Sequence, residues 1–139
     1  LVALLRQHYD FLPDAEISIK IDPRKIELHM LDHLRSEGFN RLSMGVQDFN
    51  KQVQQRINRE QDEAFIFALI ARAKAFSFDS INIALIYSLP KQTPKSFAFT
   101  LQQVVVLNPD RLSVFNYAYL PNLFAAQRTA ETGYFAAEH

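Results

Sequence analysis

The sequence predicts an α/β fold: a partial (βα) barrel of about four parallel strands with helices outside. Three observations lead there. Four short stretches carry strand-like apolar patterns and are separated by helical ones, which makes repeating βα units and hence a parallel sheet with right-handed crossovers. The first three strands alternate, leaving Glu16, Ser18, Lys20, Ser43, Gly45, Gln47 and Asn82 on a face that no helix needs to cover. A doubly wound sheet would instead show continuous apolar runs. Finally, four strands are too few to close a barrel, so the outer two are expected to be open edges unless another chain or domain completes the wall. Residues 1–139 are read as one incomplete unit of this kind.

Taken in order, Leu1 to Phe11 sets Val2, Leu4, Leu5 and Tyr9 at roughly helical spacing and stops before Pro13. It begins without methionine or a cap, as the tail of a longer element would. Glu16 to Asp22 alternates Ile17, Ile19 and Ile21 with polar residues and is the first strand. Asp22-Pro23 then offers an N-cap and a first-turn proline for a helix with Ile26, Met30 and Leu34 inward, ended by Gly38 in a left-handed cap. Arg41 to Asn50 holds the second strand, Leu42, Met44 and Val46 alternating with Ser43, Gly45 and Gln47, so that Gln47 and Asp48 arrive at its carboxyl end. That end is where ligands sit in α/β sheets.

Phe49 to Asn58 predicts a short helix, and Gln61 to Phe76 a long one burying Phe65, Ala68, Leu69 and Ala75. Ser80 to Tyr87 is the third strand. Thr93-Pro94 repeats the cap-plus-proline device and opens a helix with Phe97, Leu101, Val104 and Val105 inward. Asp110 to Tyr117 is the fourth strand, and Phe124 to Thr132 a last helix.

Composition narrows the function. With 48% hydrophobic and 22% charged residues, 139 residues suit one globular domain. Fifteen basic residues balance fifteen acidic ones, and no basic cluster stands out, so nucleic acid is not an expected partner. No apolar run approaches the roughly 18 residues of a membrane span, and the N-terminus lacks the build of a signal peptide, which makes the cytoplasm the default. The chain has no cysteine, so disulfides and a thiolate-held iron–sulfur cluster are both excluded within it.

Four segments carry a family likeness: Glu-Ile-Ser-Ile-Lys-Ile-Asp-Pro from Glu16, Arg-Leu-Ser-Met-Gly-Val-Gln-Asp-Phe-Asn from Arg41, Asn-Ile-Ala-Leu-Ile-Tyr-Ser-Leu-Pro-Lys-Gln-Thr-Pro from Asn82, and Leu-Ser-Val-Phe-Asn-Tyr-Ala from Leu112. With them the chain closely resembles the middle of the oxygen-independent coproporphyrinogen III oxidases, radical S-adenosylmethionine enzymes of haem biosynthesis. The likeness runs in order from Leu1 to about Ala126. It implies an incomplete (βα) barrel in which a [4Fe-4S] cluster splits S-adenosylmethionine and the resulting radical starts decarboxylation of two propionates, giving protoporphyrinogen IX. Position by position, it makes Gln47, Arg59 and Ala118 inherited S-adenosylmethionine contacts.

The departures from the family matter as much. Its Cys-x3-Cys-x2-Cys motif and a glycine-rich motif are absent, as is a long C-terminal portion. Lys20 stands where the family has a glutamate, Ala84 where it has an aspartate, and Ser88 where it has a glycine. An ammonium has three donors and no acceptor, so Lys20 inverts that contact, and Ala84 removes a second acceptor. Each lost charge-assisted bond costs about 1.5–3 kcal/mol. If additive, the pair weakens the cofactor by roughly two to four decades.

Three other patterns read as ordinary structure. His29 and His33 have the spacing of a metal pair, but no third ligand accompanies them, so no metal is assigned. Asp22 and Asp48 could pair for acid–base work, although a helix cap explains Asp22 more simply. Gly38, Gly45 and Gly133 form no nucleotide motif. The expectation is therefore a truncated, substituted relative of the oxidase, the product of a decayed or split gene, inactive alone and holding no cluster. The alternatives are a module that binds S-adenosylmethionine or a tetrapyrrole without turnover, and one half of a split enzyme whose edge is covered by a complementing half or by self-association.

Overall fold

The structure is a computed structural model and describes residues 1–128. In chain order its elements are α1 (Val2–His8), β1 (Ser18–Ile21), α2 (Leu28–Ser36), β2 (Arg41–Gln47), α3 (Lys51–Arg56), α4 (Glu63–Ala75), β3 (Ser80–Tyr87), α5 (Pro94–Leu107), β4 (Arg111–Asn116) and α6 (Ala125–Arg128). The end of the helix expected through Thr132 lies outside the described residues. The strands form one parallel sheet in the order β1-β2-β3-β4, the partial (βα) barrel wall that the alternation predicts.

Register turns the alternation into two different faces. Ile21, Met44, Ile83 and Leu112 are lateral neighbours on the helix side, while Lys20, Ser43, Asn82 and Arg111 form the adjacent row on the other side. Leu42, Met44, Val46, Ile81, Ile83 and Leu85 are buried in one cluster with Leu31 of α2, Ile66, Leu69, Ile70 and Ala73 of α4, and Val104 and Leu107 of α5. Each large aliphatic side chain removed from water there contributes about 1.5–3 kcal/mol. On β4 the helix-side residues Leu112 and Val114 stay 43% and 44% exposed, and among the described residues β4 pairs only with β3.

Local chemistry sets the helix ends. Asn50 caps α3 by accepting from the Gln52 and Val53 amides, and Asp62 caps α4 through the Ala64 amide. Thr93 and Ser96 form a reciprocal capping box at the start of α5, with Pro94 in the first turn. Gly38, at φ +106°, closes α2: its amide donates to Arg35 and the Phe39 amide to Leu34, the paired bonds of a Schellman ending.

The structure corrects several inward faces. Asp22 does not cap α2, which begins at Leu28 after Glu27. The Asp22 carboxylate instead accepts from the Arg24 amide and guanidinium, and Lys25 N–H bonds the Asp22 carbonyl, so the chain turns there before any helix starts. With the helix shifted, Leu31 is buried and Met30 is exposed. In α4 the buried residues are Ile66, Leu69, Ile70 and Ala73, whereas Phe65 and Ala68 are half-buried and Ala75 is exposed. That helix is apolar nearly all round, so counting apolar residues does not phase it. In α5 the inner positions are Thr100, Val104 and Leu107, with Phe97 half-buried and Leu101 and Val105 facing out. Of the apolar positions on α1, only Val2 is buried.

Candidate functional site

Polar groups collect at the carboxyl ends of β1 and β2. The ladder between β2 and β3 slips between Gly45 and Gln47, and Gln47 sits at φ +70°. A one-residue irregularity of this kind bends a strand and re-aims a side chain. Arg59 follows the turn at Asn58, where its amide bonds the Gln54 carbonyl at 2.8 Å. Its Nη2 then reaches back to donate to the Gly45 carbonyl at 3.0 Å and lies 3.6 Å from Asp22 Oδ1. A Cβ on residue 45 would stand 3.0 Å from Gln47 Nε2 and 3.2 Å from Arg59 Nη2. Gly45 therefore makes the room in which Gln47 and Arg59 converge.

Electrostatics bind this corner together. Hydrogen bonds from the Arg24 guanidinium hold the Asp22 carboxyl down at about 2, against a smaller opposing effect of burial and with further help from the Arg24 amide and the Arg59 charge. Burial lowers the pKa of Arg59, and the facing Asp22 carboxylate opposes that shift. Arg59 Nε is a buried donor with no hydrogen-bond partner among the described residues.

The other expected positions are spread along the same face. Ala84 is buried beside Gly45 in the ladder, with Ser113 on its other side. Lys20 is exposed on β1 next to Ser43. Ala118 lies past the end of β4, two strands from Gln47, and its carbonyl accepts from Gln127 Nε2 at 3.0 Å. The structure thus brings Gln47, Arg59 and Ala84 together around Gly45. Asp22 and Gly45 also belong to this corner: the sequence placed Gly45 on the polar strand face and Asp22 at a strand end, but not Asp22 as the partner of Arg59 or Gly45 as the space in which Gln47 and Arg59 meet.

Asp48 and Asp22 are not a catalytic pair. Asp48 is fully buried and accepts from the Asn50 amide, the Thr100 hydroxyl and the Gln92 amide group, which makes it a clamp between β2, α5 and the loop after β3. Asp22 is committed to Arg24 and Arg59. His29 and His33 are exposed beside Glu27 and Glu37, and no cluster of three or more metal-ligating side chains occurs among the described residues. No helix among them is long and apolar enough to cross a membrane.

A parallel βα sheet with one polar face and polar groups at its carboxyl strand ends defines part of a (βα) barrel wall, and the comparisons give it a family. The family model of the radical SAM superfamily matches residues 1–104, and the chain belongs to that superfamily. It is 71% identical over 128 residues to the oxygen-independent coproporphyrinogen III oxidase of Salmonella typhimurium, and 70% and 48% identical to those of Escherichia coli and Pseudomonas aeruginosa. Each alignment covers 92% of this chain but only 28% of the relative, so the chain spans a little over a quarter of those proteins. The solved Escherichia coli enzyme superposes with a TM-score of 0.89 at 70% identity, over 92% of this chain and 30% of that one. The methyltransferase TsrM from Kitasatospora setae, solved with cobalamin and a [4Fe-4S] cluster, shares the fold at a TM-score of 0.68 and 12% identity, over 84% of this chain and 24% of that one.

Members of this superfamily use S-adenosylmethionine with a [4Fe-4S] cluster. The side chains here do not fit the cluster, because the chain contains no thiolate to ligate it.

Proposed function

We propose that residues 1–139 form one wall of a cytoplasmic radical S-adenosylmethionine barrel of the coproporphyrinogen oxidase type. This wall keeps the outline of a cofactor site and does not perform oxidative decarboxylation by itself. The convergence of Gln47 and Arg59 on Gly45, in a chain without cysteine, carries the reading. The Gln47 amide and the Arg59 guanidinium offer hydrogen bonds to a ligand lying over the strand ends, and the Ala118 backbone offers a third contact. Lys20 presents donors where a sulfonium ligand with an amine and hydroxyls needs acceptors, and Ala84 presents nothing polar. Binding of S-adenosylmethionine by this chain is therefore weak.

The test is calorimetric titration of S-adenosylmethionine into the whole chain and into the double variant Lys20→Glu, Ala84→Asp. The double variant should bind about two to four decades more tightly. Equal affinity, or no binding by either protein, would remove the site assignment. Turnover of coproporphyrinogen by the unaltered chain, supplied only with iron, sulfide, reductant and S-adenosylmethionine, would remove the assignment of inactivity.

A second reading, a chain that works only once its wall is completed by a complementing half or a second copy, draws support from Leu112 and Val114, which β4 leaves exposed on the side that helices cover elsewhere. Sedimentation velocity of the chain alone and after co-expression with the remaining portions of a coproporphyrinogen oxidase would distinguish the two partners. A monomer in both conditions would dismiss both.

A further inference from the structure

The far end of the same polar face holds a second group of side chains. Ser18, Arg41, Ser80 and Arg111 are the first residues of the four strands, and they border a cavity of about 410 Å³ at the amino end of the sheet. The site proposed above is at the carboxyl end; Lys20 is the one residue the two readings share, and Arg111 tests the amino-end reading by itself.

An inventory of donors and acceptors defines what the cavity would take. Asn82 bridges its floor: Nδ2 donates to Ser43 Oγ at 2.9 Å, and Oδ1 accepts from the Ser113 hydroxyl at 3.1 Å, which leaves the amide one further N–H and one further lone pair. Ser43 is an acceptor in that chain, so its own hydroxyl hydrogen is left to give. The side chains of Ser18, Ser80 and Arg111 make no hydrogen bond or ion pair with any described residue. The single carboxylate, Glu16, is held by Arg41 Nη2 at 2.6 Å. The cavity therefore offers three hydroxyl donors and a free guanidinium, while its one anionic acceptor is already paired.

Lys20 extends this bias. It lies in the same lateral row as Arg111, with Ser43 and Asn82 between them, and it also has no partner among the described residues. Three strand spacings separate the two cations, about 14 Å along the sheet. A glutamate at position 20 would give this row one negative and one positive end, whereas Lys20 makes both ends positive.

We propose that the amino-end cavity binds a small oxyanion, carboxylate or phosphate, whose oxygens accept from Arg111, Ser80 and Ser18. Charged acceptors make the stronger hydrogen bonds to such donors. The volume suits a small organic anion better than a bare ion.

The experiment titrates citrate and, separately, inorganic phosphate into the whole chain at low ionic strength, following heat and the amide shifts of Ser80, Arg111 and Ser113. Saturable binding of either anion is expected, and the tighter of the two identifies the preferred chemistry. Arg111→Gln should weaken it at least about tenfold and Lys20→Glu by a smaller factor. Lys95→Gln, which removes the same charge from exposed α5, should leave it unchanged. Absence of saturation with both anions, or an equal loss in Lys95→Gln and Arg111→Gln, overturns the proposal. Circular dichroism of each variant separates loss of binding from loss of fold.

Discussion

The Thr100 hydroxyl donates to the Asp48 carboxylate at 2.9 Å across 52 residues of sequence, with both groups fully buried. Its oxygen also accepts from the Phe49 amide at 3.2 Å, so one side chain ties α5 to the end of β2 twice. Thr100→Val keeps the shape but leaves the carboxylate and the amide each one bond short. Chemical denaturation should show a loss of about 1.5–3 kcal/mol at unchanged slope, because a buried charged acceptor forfeits a partner. A loss below about 0.5 kcal/mol would mean that water or another donor replaces the hydroxyl.

Ser88 occupies the left-handed region at φ +64°, where the family resemblance places a glycine. A side chain there crowds the following carbonyl and costs on the order of 1–2 kcal/mol. Ser88→Gly should accordingly stabilise the fold by about 1 kcal/mol, net of the extra freedom that glycine gives the unfolded chain. A fall in the denaturation midpoint would show that the serine side chain contributes more than its strain removes.

Asp22 gives the chain an acid limb. Its folded pKa of about 2 is depressed below the ordinary 3.8, so its contribution is complete above pH 4 and is lost as the pH falls towards 2. Screening at this partly exposed site holds the effect to about 1 kcal/mol. Asp22→Asn should flatten the stability profile in that window and leave its shape above pH 5 unaltered.

Gly45→Ala probes the corner without attacking the core. The new methyl would press on the tips of Gln47 and Arg59, which are flexible and can yield. Stability should change by less than about 1 kcal/mol, while any affinity for S-adenosylmethionine is lost as the two side chains swing away. Retained affinity in a folded variant would detach these residues from the ligand.

The strands were legible because one wet face and one dry face impose a period of two: Ser80–Tyr87 matches its expected span, and the strand expected within Arg41 to Asn50 runs from Arg41 to Gln47. Helix faces were less so. The apolar sequence of α4 leaves its phase open, and the phase of α5 follows from a threonine recruited by a carboxylate far away in sequence. Asp22 was misread because capping and turn formation call for the same residue type, and Arg24 decides between them only once its guanidinium closes on the carboxylate. Gln47 was marked by its place at a strand end as well as by likeness to a family, and Arg59 by the likeness alone. Their meeting over a residue too small to obstruct them depends on the turn at Asn58, which no local pattern announces.

The bare flank of β4 bears on how this polypeptide fares in a cell. Leucine and valine displayed on a strand that, among the described residues, is paired along one edge only are what chaperones and quality-control proteases engage. Its steady-state amount would then follow the abundance of whatever shields that flank rather than the level of its own messenger RNA.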